Sequence, residues 1–141
     1  MIRKASAVWN GNLRDGKGTV TTESGALAQT PYSFRSRFET GTGTNPEELI
    51  AAGHAGCFTM ALSAQLTGAG LTPDTIATSA ALTLEKLDNG WTVTKIHLDV
   101  TARVPGATSE TFQKLAAEAK ANCPISRLLK AEITMTATLG S

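Results

Sequence analysis

Cys57 and Cys123 are the two thiols of the chain, and each sits in a setting that bears on reactivity. Cys57 follows Gly56 in the middle of a long helical stretch, where it reads either as a reactive thiol or as a small buried filler. Cys123 precedes Pro124 and so takes the N-cap of a short helix at 124–129. Free amide donors and the helix dipole there favour a thiolate. Asn122-Cys123-Pro124 reads equally as a plain turn between helices. On residue types alone, Cys123 ranks above Cys57 as a nucleophile.

Arg37 is the third candidate. It occupies the polar face of an alternating segment, from which a guanidinium can hold a thiolate and polarise a bound oxygen. Arg35 on the same face illustrates the plainer alternative, a solvated strand arginine. Glu47 and Glu48 open the long helix, where the dipole favours acids. Glu48 fits the acid of a capping box, which leaves Glu47 without a structural task. His54 stands three residues before Cys57 on nearly the same helical face, and fits either a Cys–His pair or a satisfied core histidine. Zinc needs about four ligands in recognisable spacing, and Cys57, Cys123, His54 and His97 do not offer it. Nucleotide-binding loops, a Ser-His-Asp order and paired-carboxylate signatures are absent.

The element that must position Cys57 is the stretch 45–70. Asn45 caps it, Pro46 suits its first helical position, and Gly68 and Gly70 stop it. Leu49, Ile50, Phe58, Met60, Leu62 and Leu66 point to all sides, which predicts a helix buried all round. Gly53 and Gly56 each cost about 1 kcal/mol inside a helix, so another backbone is expected to approach there.

The other elements follow from periodicity. Residues 2–9 and 18–23 predict two strands of a hairpin joined by a turn-rich loop. In 33–39, Phe34 and Phe38 take one face and Arg35, Arg37 and Glu39 the other, predicting a third strand. Strands at 75–87 and 91–104 are joined at Asp88-Asn89-Gly90, a strong hairpin signal. Ile96, Leu98, Val100, Ala102 and Val104 share one face of the second. An amphipathic helix at 108–121, the short helix and a strand at 131–138 complete the chain. The order βββ-α-ββ-α-β predicts one α+β domain over residues 1–141, with antiparallel sheets around the long central helix.

A chain of 141 residues, 41% hydrophobic, is long enough and apolar enough for a real core. Its net charge of +1 gives no footprint for nucleic acid or an anionic membrane. Residues 1–10 hold charges and no apolar run, so no secretory leader is expected. The run 49–66 is nearly long enough to cross a bilayer. It carries His54, Ser63 and Gln65 and lacks basic flanks, so a core helix is expected instead. Two cysteines in an unsecreted chain argue for reduced thiols in the cytoplasm.

Four segments together carry a resemblance: GKGTVTTESG (16–25), PYSFRSRFE (31–39), GTNPEELIAAGHAGCFTMALS (43–63) and KANCPISRLLKAEIT (120–134). They resemble the OsmC/Ohr family of organic hydroperoxide reductases, and its OsmC branch more than its Ohr branch, essentially end to end. The resemblance implies that Cys57 is the peroxidatic nucleophile and that Cys123 resolves its sulfenic acid into a disulfide. It implies that Arg37 and Glu47 hold the thiolate. An obligate, intertwined homodimer is implied, with active sites at the subunit interface and no flavin, haem or metal. The substrate would be an organic hydroperoxide and the reductant an external dithiol, of the lipoyl type in the Ohr branch. The competing class is a non-catalytic dimeric binding module whose cysteines are only buried.

One expectation combines the resemblance with helix geometry. Glu47 and Cys57 are ten positions apart on one helix, ~15 Å at ~1.5 Å rise per residue. If both serve one site, Glu47 arrives most simply from the other protomer, across antiparallel helices packed at Gly53 and Gly56.

Overall fold

Small polar and branched residues alternate through three short strands at the beginning of the chain, β1 (Ala5–Asn10), β2 (Lys17–Thr22) and β3 (Thr30–Tyr32). β1 pairs with β2 and β2 with β3, both antiparallel. Gly18 lies opposite Trp9 on one side and Tyr32 on the other. A Cβ there would come within 2.4 Å of the Tyr32 ring and 2.6 Å of the Trp9 ring, so only glycine fits between the two aromatics. The computed structural model describes all of residues 1–141. They divide into two units, Met1–Leu49 and Ile50–Ser141.

In the first unit, the segment expected as a third alternating strand is instead a helix, α1 (Phe34–Phe38). The spacing of Phe34 and Phe38 fits a helix and a strand alike, since four residues is two strand repeats and about one helical turn. The cap decides. Ser33 Oγ accepts from Ser36 N at 3.1 Å and Ser36 Oγ accepts from Ser33 N at 2.8 Å, a reciprocal capping box. Ser36 Oγ also reaches Thr44 O at 2.8 Å, and Asn45 Nδ2 donates to Ser36 O at 3.0 Å, fixing the turn that leads out of α1. No apolar side chain of this unit is fully buried; Val8 and Leu13 are 57% and 65% exposed.

Helix α2 (Pro46–Gly68) starts in the first unit and continues into the second. Asn45 Oδ1 accepts from Glu48 N at 2.7 Å, so the expected N-cap is present. Glu48 does not close a capping box, because its carboxylate takes the Thr44 hydroxyl at 2.8 Å. At the other end Leu71 N donates to Leu66 O and Gly70 N to Thr67 O, with Gly70 at φ 77°, a Schellman stop that only glycine adopts freely. Burial along α2 follows one stripe: His54, Phe58, Leu62 and Leu66 are wholly buried, while Met60 is 76% exposed. The expectation of burial on all sides therefore does not hold within one chain, because this chain covers only the four-residue stripe. A Cβ added at Gly53 or Gly56 meets nothing within 4 Å, so the backbone approach expected there is not made by this chain. α2 is long and apolar enough to cross a membrane by length and composition, yet its buried stripe belongs to a core.

The sheet of the second unit holds β4 (Thr75–Leu87), β5 (Gly90–Arg103) and β6 (Glu132–Gly140) in that order. β4 and β5 form the expected antiparallel hairpin, with Ala80 opposite Leu98. β6 runs parallel to β5, with Leu98 opposite Met135, against the expectation of antiparallel pairing throughout. The reason is the connection: α3 (Ser109–Asn122) and α4 (Pro124–Leu128) form a crossover long enough to bring the chain back in the same direction. The core gathers Phe58, Leu62 and Leu66 of α2, Ile96, Leu98, Val100 and Ala102 of β5, Val104 just beyond it, and Phe112, Leu115, Ala116 and Ala119 of α3, with Cys123.

Candidate active site

α2 and the start of α4 bring the two thiols together. Cys123 Sγ donates to Cys57 Sγ at 2.8 Å, across 66 residues of sequence. Both cysteines are free. Their exposure differs: Cys57 is half-buried, and Cys123 is completely buried. A reagent from solvent therefore reaches Cys57 first, with Cys123 behind it. This reverses the ranking from residue types, which rested on the N-cap position of Cys123. Cys123 does hold that position, but its thiol makes no capping bond. The backbone N–H of Ile125 in the first turn of α4 serves the sulfur of Cys57 instead.

Burial pushes the Cys57 thiol above its ordinary value, the neighbouring Cys123 sulfur adds to the rise, and the Ile125 N–H opposes it. A thiol so placed needs a further positive group to be a thiolate at neutral pH.

His54 lies one helical turn before Cys57 and is fully buried. Its Nε2 is 2.8 Å from Ser126 Oγ of α4, while Nδ1 has no partner. Burial lowers its pKa, so the ring is neutral. It is the core histidine of the two readings open to it, though with one ring nitrogen unsatisfied, and its hydrogen bond goes to Ser126 rather than to a sulfur. His97 is on β5 with its two ring nitrogens at the hydroxyls of Thr134 and Thr136. Ser126 was missed by sequence reasoning; a serine in the first turn after Cys-Pro was its only signal.

The second pair lies in the first unit. Arg37, in the last turn of α1 rather than on a strand, faces Glu47 in the first turn of α2. Arg37 Nη2 donates to Glu47 Oε1 at 2.8 Å, and Nε lies 3.1 and 3.2 Å from the two carboxylate oxygens. The guanidinium also stands 5.1 Å from the centre of the Phe38 ring, so an aromatic face and a carboxylate fix its plane. Arg35, in contrast, makes only a 3.7 Å contact to Glu39 on the surface. Beside Arg37 opens a cleft of about 430 Å³ lined by Trp9, Leu13, Tyr32, Phe34 and Phe38.

The chain is 52% identical over 139 residues to Peroxiredoxin OsmC of Escherichia coli (strain K12), covering 99% of this chain and 97% of that protein. It is 32% identical over 100 residues to the Organic hydroperoxide resistance protein of Xanthomonas axonopodis pv. citri, covering 70% and 68% of the two chains. Its fold matches the crystal structure of an OsmC-like protein from Mycoplasma pneumoniae with a TM-score of 0.79 at 16% identity, over 100% of this chain and 99% of the other. The family model described as OsmC-like protein matches residues 39–138, which contain Cys57, Cys123 and Glu47. On this match and these identities, the chain belongs to the family of OsmC-like proteins.

Proposed function

We propose that Cys57 and Cys123 carry a two-cysteine cycle in this chain, a thiol-dependent peroxidase of the OsmC/Ohr family. The observation that carries the assignment is the stacking of the two thiols: an accessible Cys57 with a buried Cys123 at 2.8 Å behind it. The Cys57 thiolate attacks the terminal oxygen of ROOH. The O–O bond breaks, Cys57 becomes a sulfenic acid, and the alkoxide takes up from solvent the proton that the thiol had lost and leaves as ROH. The Cys123 thiol then condenses with it, forming the disulfide and releasing water. An external dithiol returns both thiols by exchange.

The Arg37–Glu47 pair supplies the cation that the elevated Cys57 thiol requires. Its guanidinium stabilises the thiolate and the developing oxyanion, and Glu47 orients it. The helix-rise distance between Glu47 and Cys57 supports delivery of this pair from the partner protomer. The open faces at Gly53 and Gly56, exposed Met60 and the lack of a buried apolar residue in the first unit support the same intertwined homodimer. In that assembly residues 1–141 form one domain per protomer. The aromatic cleft beside Arg37 suits the organic part of the hydroperoxide, so bulky apolar substrates are favoured over hydrogen peroxide. Free thiols and this chemistry belong in a reducing cytoplasm, with no cofactor, nucleic acid or membrane involved.

A thiol count tests the cycle. Stoichiometric cumene hydroperoxide should consume two thiols per chain, and dithiothreitol should restore both. A binding module with inert cysteines would lose none.

A further inference from the structure

α4 is only five residues long, and its N-cap residue Cys123 makes no side-chain capping bond. A helix of that length does not hold itself together. Arg127 and Leu128 point to solvent, while Ile125 and Leu129 are half-buried against the core. The side-chain hydrogen bond from α4 to α2 is that of Ser126 Oγ with His54 Nε2, and both residues are buried. His54 precedes Cys57 by three residues and Ser126 follows Cys123 by three. Beside the Ile125 N–H at the Cys57 sulfur, the two segments are thus joined by two side-chain rungs one turn apart: sulfur to sulfur, and imidazole to hydroxyl. His54 leaves Nδ1 buried without a partner, which an apolar residue of like size would avoid. The bond made by Nε2 is what accounts for a histidine here.

We propose that the His54–Ser126 bond is a positioning device for disulfide closure, holding α4 in the register that keeps Cys123 Sγ against Cys57 Sγ. This rests on the two-cysteine cycle above. The step it governs is Cys57–SOH with Cys123–SH: the S–S bond forms, the S–O bond breaks, and the Cys123 proton leaves with the hydroxide as water. With α4 loosened, Cys57–SOH persists and meets a second hydroperoxide, giving the sulfinic acid and ROH.

The test follows closure in the full-length protein after one equivalent of cumene hydroperoxide, by dimedone trapping against time. Ser126→Ala and His54→Leu should each lengthen the sulfenic acid lifetime about five- to tenfold, the range a single interior hydrogen bond accounts for. Both should slow the first oxidation less than closure, since a loosened α4 reaches that step only through the Ile125 N–H at the Cys57 sulfur. The disulfide equilibrium against dithiothreitol should fall by the same factor, placing the potential roughly 20–30 mV higher at ~30 mV per tenfold. Ser126→Thr, which keeps the hydroxyl, should close at close to the wild-type rate. His54→Leu removes the unpaired nitrogen but leaves the Ser126 hydroxyl buried without its partner, so the His54→Leu/Ser126→Ala double variant, which removes both polar groups, is the one in which slow closure is not a loss of stability. A folded Ser126→Ala or His54→Leu protein that closes at the wild-type rate with the wild-type potential would overturn the proposal. Should Ser126→Ala not fold, the double variant decides alone. If wild type itself forms neither sulfenic acid nor disulfide, the two-cysteine cycle falls, and the positioning role with it.

Discussion

Arg37 and Glu47 meet in a fork of three hydrogen bonds, 2.8 to 3.2 Å long, with Glu47 the more buried partner at 13% side-chain exposure against 38%. A lysine cannot reproduce that fork, since its ammonium is a point charge. Arg37→Ala should move the pH–rate profile of Cys57 oxidation upward, because the burial that already raises this thiol would no longer be opposed by a cation. Arg37→Lys should recover part of the shift. Thiol titration by a maleimide probe over pH reads both; an unchanged curve in Arg37→Ala would place the guanidinium away from Cys57.

Cys57→Ser should show no hydroperoxide consumption above background. Cys123→Ser should react once and stop as a sulfenic acid trapped by dimedone. Normal turnover of Cys123→Ser with a dithiol would remove Cys123 from the cycle.

Mixed dimers test where Glu47 acts. Unfolded Cys57→Ser and Glu47→Ala chains are combined and refolded, and mixed dimers are confirmed by mass. Random pairing puts half of the dimers in the mixed class, each with one intact site if Glu47 crosses over. Activity should then recover to roughly a quarter of wild type in a two-fold dimer. No recovery above the parent variants would assign Glu47 to its own chain.

Leu13 stands on the rim of the aromatic cleft and is 65% exposed, so replacing it disturbs little packing. Leu13→Glu should raise KM for cumene hydroperoxide severalfold while leaving hydrogen peroxide nearly unaffected. Equal effects on both substrates would remove the cleft from substrate binding.

His54 makes folding sensitive to acid. Burial holds its pKa below the ordinary value near 6.5, so below that pH the unfolded chain takes up a proton that the folded chain refuses. Stability is therefore full above about pH 6.5 and falls as pH drops. Urea midpoints measured from pH 7.5 to 5 should decline in wild type and decline less in His54→Leu. Parallel curves would show that His54 titrates alike in both states.

Much of this was legible in residue order alone. The hairpin at Asp88-Asn89-Gly90, the buried face from Ile96 to Val104 and the helix at 108–121 follow from periodicity and turn chemistry, and the structure has them within a residue or two. Three things were not legible. The Phe34/Phe38 spacing satisfies both periods, so α1 turned on Ser33 and Ser36, two short side chains that also suit a loop. The direction of β6 depends on how the α3–α4 crossover returns, which no local pattern encodes. The order of the thiols depends on depth: Cys123 has the better local setting but lies behind Cys57, and depth arises only when α4 docks. The Arg37–Glu47 fork was visible as two candidates, and their contact required α1 to be a helix.

The parallel pairing of β5 with β6 has a consequence for biosynthesis. Cys57 leaves the ribosome 66 residues before Cys123, and the crossover that carries Cys123 is anchored only when β6 has been made and aligned beside β5. A nascent chain therefore passes through a stage with a lone thiol and no neighbour to close upon it. A disulfide between Cys57 and Cys123 is thus open only to a chain made through the crossover, and the docking of α4 that sets the two sulfurs together waits on β6.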